Sequence, residues 1–241
     1  MGILLGSDGR PVYAPSGLPI YAPDPSRPLR NFGAMQARIA DDMVSDAITA
    51  SHIQNAIQDA QRDHERAPFW FNEAYDVGNF SFSAGKEYYS PADYAPIGSM
   101  AHIRTISVLL SANRYTLLPR TPAWMEEIAV AERWRGMPTD WCWVGQVIRL
   151  YPTPDQSYPA TFTATMRWPI PVSATDQNPW LDDAEQMIRS RAKAALSRHI
   201  TRDPGYAQQM DGEEARALML LRAETTRRQA GPGRIRVRSY Y

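Results

Sequence analysis

The sequence predicts an α+β fold, with helical segments toward both ends of the chain and strands gathered between them. Three observations carry this expectation. A helical stripe runs over residues 36–66, segments rich in β-branched and aromatic residues fill the stretch from Pro68 to Trp168, and two further amphipathic stretches run from Trp180 to Arg228.

The first 34 residues carry Pro11, Pro15, Pro19, Pro23, Pro25 and Pro28, with five glycines among them. Proline removes backbone donors and fixes an extended path, so neither a helix nor a central strand is expected here. The segment also holds Tyr13, Leu18, Ile20, Tyr21 and Phe32. A plain flexible tail and an arm that orders against a neighbouring subunit or tail protein both fit; the apolar residues favour the arm.

From Gln36 to Arg66, Ile39, Met43, Ala50, Ile53, Ile57 and Ala60 recur at sums of three and four, the mark of a buried helix face. Ser51 followed by Gln54 resembles a capping box, which allows two helices broken near Thr49. Val44 and Ile48 fall off the stripe. Either a second partner or a kink at the break accounts for them.

Pro68 ends the helical pattern. Strands are expected over residues 79–83, 103–110, 115–118, 141–151 and 158–168. In the last, Phe162, Ala164, Met166 and Trp168 alternate with Thr161, Thr163, Thr165 and Arg167, as in a half-buried antiparallel strand. Thr121 and Pro122 supply cap and first-turn signals for a short helix over residues 123–133. Trp180, Ala184, Met187, Ile188 and Ala195 define the core face of the next helix, whose opening turn carries Asp182 and Asp183. Asp203 and Pro204 open a last helix through Met210, Ala217, Leu218 and Leu221 to about Arg228, and Gly231-Pro232-Gly233 stops it.

Beyond that stop, Arg234, Arg236 and Arg238 alternate with Ile235 and Val237, and Tyr240 and Tyr241 follow. The period is that of a strand, with one cationic and one apolar face. A frayed solubilising end is what many termini are. A lone strand with exposed backbone groups also invites addition to another sheet or docking in a groove, and the alternation with paired tyrosines favours a docking tail.

Composition bounds the function. In 241 residues, 44% are hydrophobic, enough to bury a real core. Lysine plus arginine and aspartate plus glutamate balance at 26 each, so no global field draws the chain to nucleic acid or acidic membrane. The apolar run Ile3–Leu5 is too short for a signal core or membrane span, and a protein made and used in a cytosol is expected. Cys142, between Trp141 and Trp143, reads as core filling rather than a reactive thiol.

A search for catalytic arrangements finds none that chemistry requires. His52, His64, His102 and His199 lack metal-ligand spacing. Ser99 lacks the second glycine of a nucleophile elbow, and no glycine-rich phosphate loop occurs. The carboxylate pairs Asp41/Asp42, Glu126/Glu127, Asp182/Asp183 and Glu213/Glu214 all adjoin or lie in expected helices, where dipole placement or solvation explains them. No enzyme, no cofactor and no metal are therefore expected. Acidic residues interspersed among the arginines as far as Glu224 argue against sequence-specific nucleic-acid reading.

Three stretches, in their order, resemble the head-to-tail adaptor (connector) proteins of tailed bacteriophages. They are Ala67-Pro-Phe-Trp-Phe-Asn-Glu73 after a long helix, Gly136-Met-Pro-Thr-Asp140 before a strand, and Ile148-Arg-Leu-Tyr-Pro-Thr-Pro-Asp155 before the alternating strand. The resemblance continues through Asn178-Pro-Trp-Leu-Asp182 and covers roughly residues 36–228.

It implies a helical bundle of the N-terminal helix and two C-terminal helices, with the β-rich part inserted as a second lobe. The boundaries would be an arm over 1–35, bundle helices over 36–67 and 179–230, the lobe over 68–178, and the tail over 231–241. It further implies a virion neck protein assembled in the host cytoplasm, forming a ring of twelve copies beneath the portal protein. Such a ring extends the channel through which genomic DNA passes without sequence-specific binding, and offers a platform to a downstream tail, stopper or nozzle protein. Residues 234–241 would reach the portal. The N-terminal arm departs from compact adaptors, which begin close to their first helix. The rival readings are another virion protein such as a stopper or tail-completion factor, a cell-wall hydrolase, and a DNA-binding module.

Overall fold

Helices occupy both flanks of the chain and strands chiefly its middle, so the protein is mixed α+β with largely antiparallel sheets. The computed structural model describes residues 2–3, 21–22, 30–111, 113–131 and 134–229, without the side chains of residues 2–3, 21–22, 75–79 and 129–131. In chain order, β1 (Gly2–Ile3) pairs antiparallel with β2 (Tyr21–Ala22), and α1 (Phe32–Asp42) and α2 (Ala50–His64) follow. The strand-rich part holds β3 (Glu73–Phe82), β4 (Tyr88–Tyr89), α3 (Pro96–Ser99), β5 (Met100–Leu110), β6 (Asn113–Thr116), β7 (Leu118–Pro119) and α4 (Pro122–Ala131). It continues with β8 (Arg135–Gly136), β9 (Asp140–Val144), β10 (Val147–Tyr151), β11 (Thr153–Pro154) and β12 (Tyr158–Met166). The chain then forms α5 (Pro179–Asp182), α6 (Glu185–Leu196), a π-helical turn (Ser197–Thr201) and α7 (Pro204–Gln229).

Two compact units result. One takes residues 73–168 together with 1–24, and the other residues 25–72 and 169–241. The β-rich part is thus narrower than the 68–178 expected from sequence. Phe69 and Phe71 stack at 5.4 Å and both meet Trp180 edge-on, so the segments flanking the strands belong to the helical unit.

In the β-rich unit, β12 pairs antiparallel with both β3 and β5, giving the order β3-β12-β5-β6. Phe162, Ala164 and Met166 are buried as their alternation requires, while Thr161 and Thr163 are half-buried. The second sheet has the order β4-β10-β9-β7. A continuous core of residues from both sheets, including Phe82, Ile106, Val108, Trp141, Ile148, Leu150 and Phe162, joins them.

Two expected strands are each two. Residues 141–151 fold as a hairpin, because Gly145 and Gln146 take φ values of 56° and 66°, the doubly left-handed turn whose twist suits antiparallel strands. Residues 115–118 divide at Leu117, whose amide bonds the Ile106 carbonyl at 2.8 Å, whereas the Leu118 amide bonds the carbonyl of Thr139, just before β9 of the other sheet, at 2.8 Å. The chain crosses between sheets at that residue.

The helical unit is organised on α6, which packs against α7, α2 and α1. The expected break near Thr49 is present. Its cap is Thr49 with His52, rather than Ser51 with Gln54, since Thr49 accepts from the His52 amide and His52 Nδ1 accepts from the Thr49 amide, both at 3.3 Å. The break resets the helical phase, so Ala50 is exposed while Ile39, Ile53, Ile57 and Ala60 are buried. Val44 and Ile48 sit in the linker between the helices, so the break accounts for their departure from the stripe.

Candidate docking surfaces and the roots of the arms

The expected docking residues Arg234, Ile235, Arg236, Val237, Arg238, Tyr240 and Tyr241 lie outside the described residues, as do Tyr13, Leu18 and Ile20. Tyr21 lies in β2, paired with Ile3. Phe32 falls elsewhere: it is the first residue of α1 and fully buried, so its ring belongs to the core of its own chain. What is described in detail is the pair of places from which the two arms leave.

The N-terminal root is built from Arg30 to Gly33. Asn31 caps α1 by accepting from the Ala34 amide at 2.8 Å. The Phe32 and Gly33 amides donate to the carbonyls of Asp176 and Ala174, each at 2.9 Å. A Cβ on Gly33 would stand 3.0 Å from the Ala174 Cβ, so any larger residue would have to push the Ala174 loop back by a few tenths of an ångström. Asp176 shapes the receiving loop by accepting from the Val172 and Ser173 amides at 2.7 and 2.8 Å, and those bonds hold its carboxyl below the ordinary aspartate value.

Beside this root lies a polar cleft of about 390 Å³ lined by Arg30, Arg38, Arg189, Asp182, Asp183 and Glu185. The buried Glu185 carboxylate binds Arg30 at 2.5 Å and also Arg38, with Arg189 at 3.8 Å. These charges balance within the cleft, which makes it a clamp on the start of α1. Asp182 and Asp183 are expected from sequence as dipole partners, whereas Glu185 has no local signal, because Arg30 and Arg38 lie about 150 residues away in sequence.

The C-terminal root uses the aromatic motif at residues 67–73. Asn72 closes it, accepting from the Phe69 amide at 2.7 Å and donating to the Ala67 carbonyl at 2.8 Å. Phe69 and Phe71 turn into the core, and Trp70 is left half-buried between them. The Trp70 amide donates to the Thr225 hydroxyl at 3.3 Å, and the Arg228 guanidinium lies 3.6 Å from the Trp70 ring centroid. Glu224 binds Arg227 and Arg228, which hold its carboxyl below its usual range. The last described turn of α7, just before Gly231, is therefore fixed to this motif. The other motif of the helical unit is equally structural: Asn178 caps α5 at the Leu181 amide, 3.1 Å, while its amide group donates to Gln61 at 3.0 Å and to the Pro169 carbonyl at 3.1 Å.

In the β-rich unit the corresponding residues also brace the chain. Asp140 accepts from Arg120 and Thr139, both at 2.6 Å, and Asp155 accepts from Tyr158 at 2.6 Å. Buried Arg149 binds Glu87 and, at 2.5 Å, Glu126 of α4, while its guanidinium lies 5.2 Å from the Tyr88 ring centroid. Burial pushes the Cys142 thiol up, as befits core filling. Thus Glu126, of the Glu126/Glu127 pair, is engaged in fastening α4, and Asp42, of the Asp41/Asp42 pair, is bound by Lys193. Among the described residues, no group of three histidines, cysteines or carboxylates is placed to hold a metal, and no helix is long and apolar enough to cross a membrane.

The motifs singled out in the sequence brace turns, caps and the roots of the two arms. A family model described as "SU10 adaptor protein" matches residues 30–238, and the chain belongs to that family of bacteriophage structural adaptors, a virion component and not an enzyme class. The match takes in Phe32 and the basic tail as far as Arg238; Tyr13, Leu18, Ile20 and Tyr21 precede it. No curated protein matches the chain.

Proposed function

We infer that the protein is a head-to-tail adaptor of a tailed bacteriophage. Copies of it form a ring beneath the portal, twelve-fold like the portal, and the ring extends the DNA channel and receives the next tail component. Assembly takes place in the host cytoplasm. The observation that carries this reading is the family match, which runs through the fold and on into the alternating basic tail.

Arg234, Ile235, Arg236, Val237, Arg238, Tyr240 and Tyr241 are the portal-docking segment in this proposal. Their strand period offers main-chain bonds to an exposed edge, with arginines on one face and aliphatic side chains on the other. The fixed C-terminal turn of α7 supports it, because a tail leaving a rigid root loses less freedom on binding than one leaving a frayed helix. Tyr13, Leu18, Ile20 and Tyr21 form the arm that lies on a neighbouring subunit or tail protein, and Phe32 anchors its inner end.

Complementation tests the proposal. Phage lacking the gene for this chain are supplied with the full-length protein or with one ending at residue 230. Infectious particles from the first and DNA-filled, tailless heads from the second are expected. Normal particles from the shortened chain contradict the assignment of the tail.

A further inference from the structure

The last helix presents apolar residues on both sides. Met210 and Ala217 are buried toward the rest of the helical unit. On the opposite side Ala215, Met219 and Ala223 follow one another at spacings of four, and all three are exposed. Met219 is 64% exposed and its neighbour Leu220 65%. Exposed methionine and leucine in the middle of a 26-residue helix, about 39 Å long, form an unpartnered face.

That face is also basic. Arg216 and Arg222 flank it, both exposed and without an ion-pair partner among the described residues. Three of the four carboxylates of α7 are engaged away from it: Asp211 binds Arg198, Glu214 binds His64 at 2.9 Å, and Glu224 binds Arg227 and Arg228, while the fourth, Glu213, is half-buried on the flank toward Leu220.

The linker between α1 and α2 has the opposite character. Val44 is 92% exposed, and exposed Asp41 and Asp46 stand beside it in sequence. Lys193 neutralises Asp42 but neither of these two, among the described residues. No lysine or arginine occurs between Arg38 and Arg62. The same unit therefore carries one apolar patch edged by arginine and another edged by aspartate.

We propose that the outer face of α7, centred on Met219 and Leu220, packs against the α1–α2 linker around Val44 of a second copy of the chain. This deepens the ring reading above and rests on it. Within one chain both patches are exposed, so they meet only between copies. Two unlike patches make a head-to-tail contact, which closes into a ring where the rotation permits, whereas a contact of α7 with itself would stop at a dimer. Arg216 and Arg222 against Asp41 and Asp46 select the partner patch and its direction.

Cysteine cross-linking of the full-length chain tests this, in concentrated solution and bound to portal. The double variant Val44→Cys, Met219→Cys is expected to give a ladder of covalent multimers on oxidation, and either single variant none beyond background. Mixing the two singles should give one heterodimer band. Arg216→Glu with Arg222→Glu is expected to weaken self-association about 10- to 100-fold, and adding Asp41→Arg with Asp46→Arg to restore it.

Strong Met219–Met219 dimers, multimers without the 44–219 link, or a chain that stays single both free and on portal each overturn the proposal. So does charge reversal that leaves self-association intact but removes salt-dependent binding to duplex DNA, which would assign the arginines to phosphate. Loss of portal attachment with the 44–219 link intact contradicts the adaptor reading alone.

Discussion

The Arg228 guanidinium lies 3.6 Å from the ring centroid of Trp70, and the Trp70 amide is bonded to Thr225 one turn earlier on α7. Two contacts thus fasten the final helical turn to the aromatic motif. Arg228→Ala should cost about 0.5–1 kcal/mol, the usual worth of a half-exposed cation–π stack. A double-mutant cycle with Trp70→Ala, read from urea melts, should return a coupling of that size. Simple additivity of the two losses would show the stack to be idle.

Gly33 stands where a Cβ would meet Ala174 at 3.0 Å. Gly33→Ala should force either α1 or the loop at Ala174 to shift, with a loss of about 1–3 kcal/mol typical of overpacking. Calorimetry measures it. An unchanged melting temperature would mean that the N-terminal root is looser than its two amide bonds imply.

Asn178 joins three segments, capping α5 and donating to Gln61 and Pro169. Asn178→Ala removes a cap worth about 1 kcal/mol and the buried hydrogen bond from the Asn178 amide to Gln61, at about 1–3 kcal/mol more. The expected loss by chemical denaturation is therefore about 2–4 kcal/mol. A smaller loss, near that of the cap alone, would mean that Gln61 finds another donor.

Tyr89 gives a dependence on alkaline pH. Burial pushes its hydroxyl up to about 12, the hydrogen bond with Ser83 acting against the rise. A folded value above the unfolded one means that stabilisation is complete below about pH 10. It is lost as pH rises toward about 12, where folded Tyr89 ionises. The Ser83 amide donates to this hydroxyl at 2.8 Å. Tyr89→Phe should thus cost about 1–2 kcal/mol at neutral pH and remove one late-titrating phenol from the ultraviolet titration. A titration unchanged by the substitution would place the late phenol elsewhere.

How legible these features were in the sequence varies with their range. The β12 alternation, the break near Thr49, and the starts of α4 and α7 are local patterns, and they read directly from spacing and cap residues. The hairpin within residues 141–151 does have a local signal, Gly145-Gln146 between two strand-like runs, which an expectation of one continuous strand passes over. Contacts between distant segments left no local signal. Nothing around Glu185 announces Arg30 and Arg38, and nothing around Arg228 announces Trp70. The aromatic motif itself could be recognised as a string of residues, whereas its role at the root of α7 needed the fold. Phe32 read as part of the arm because proline and glycine crowd before it, yet the cap at Asn31 makes it the first residue of the helical core.

The most direct test of the account is the mass of the complex formed with purified portal. Full-length protein is predicted to give one defined species carrying the same number of copies of this chain as of portal subunits, and protein ending at residue 230 to leave the portal bare. Equal loading by both proteins, or no defined species with either, would contradict it.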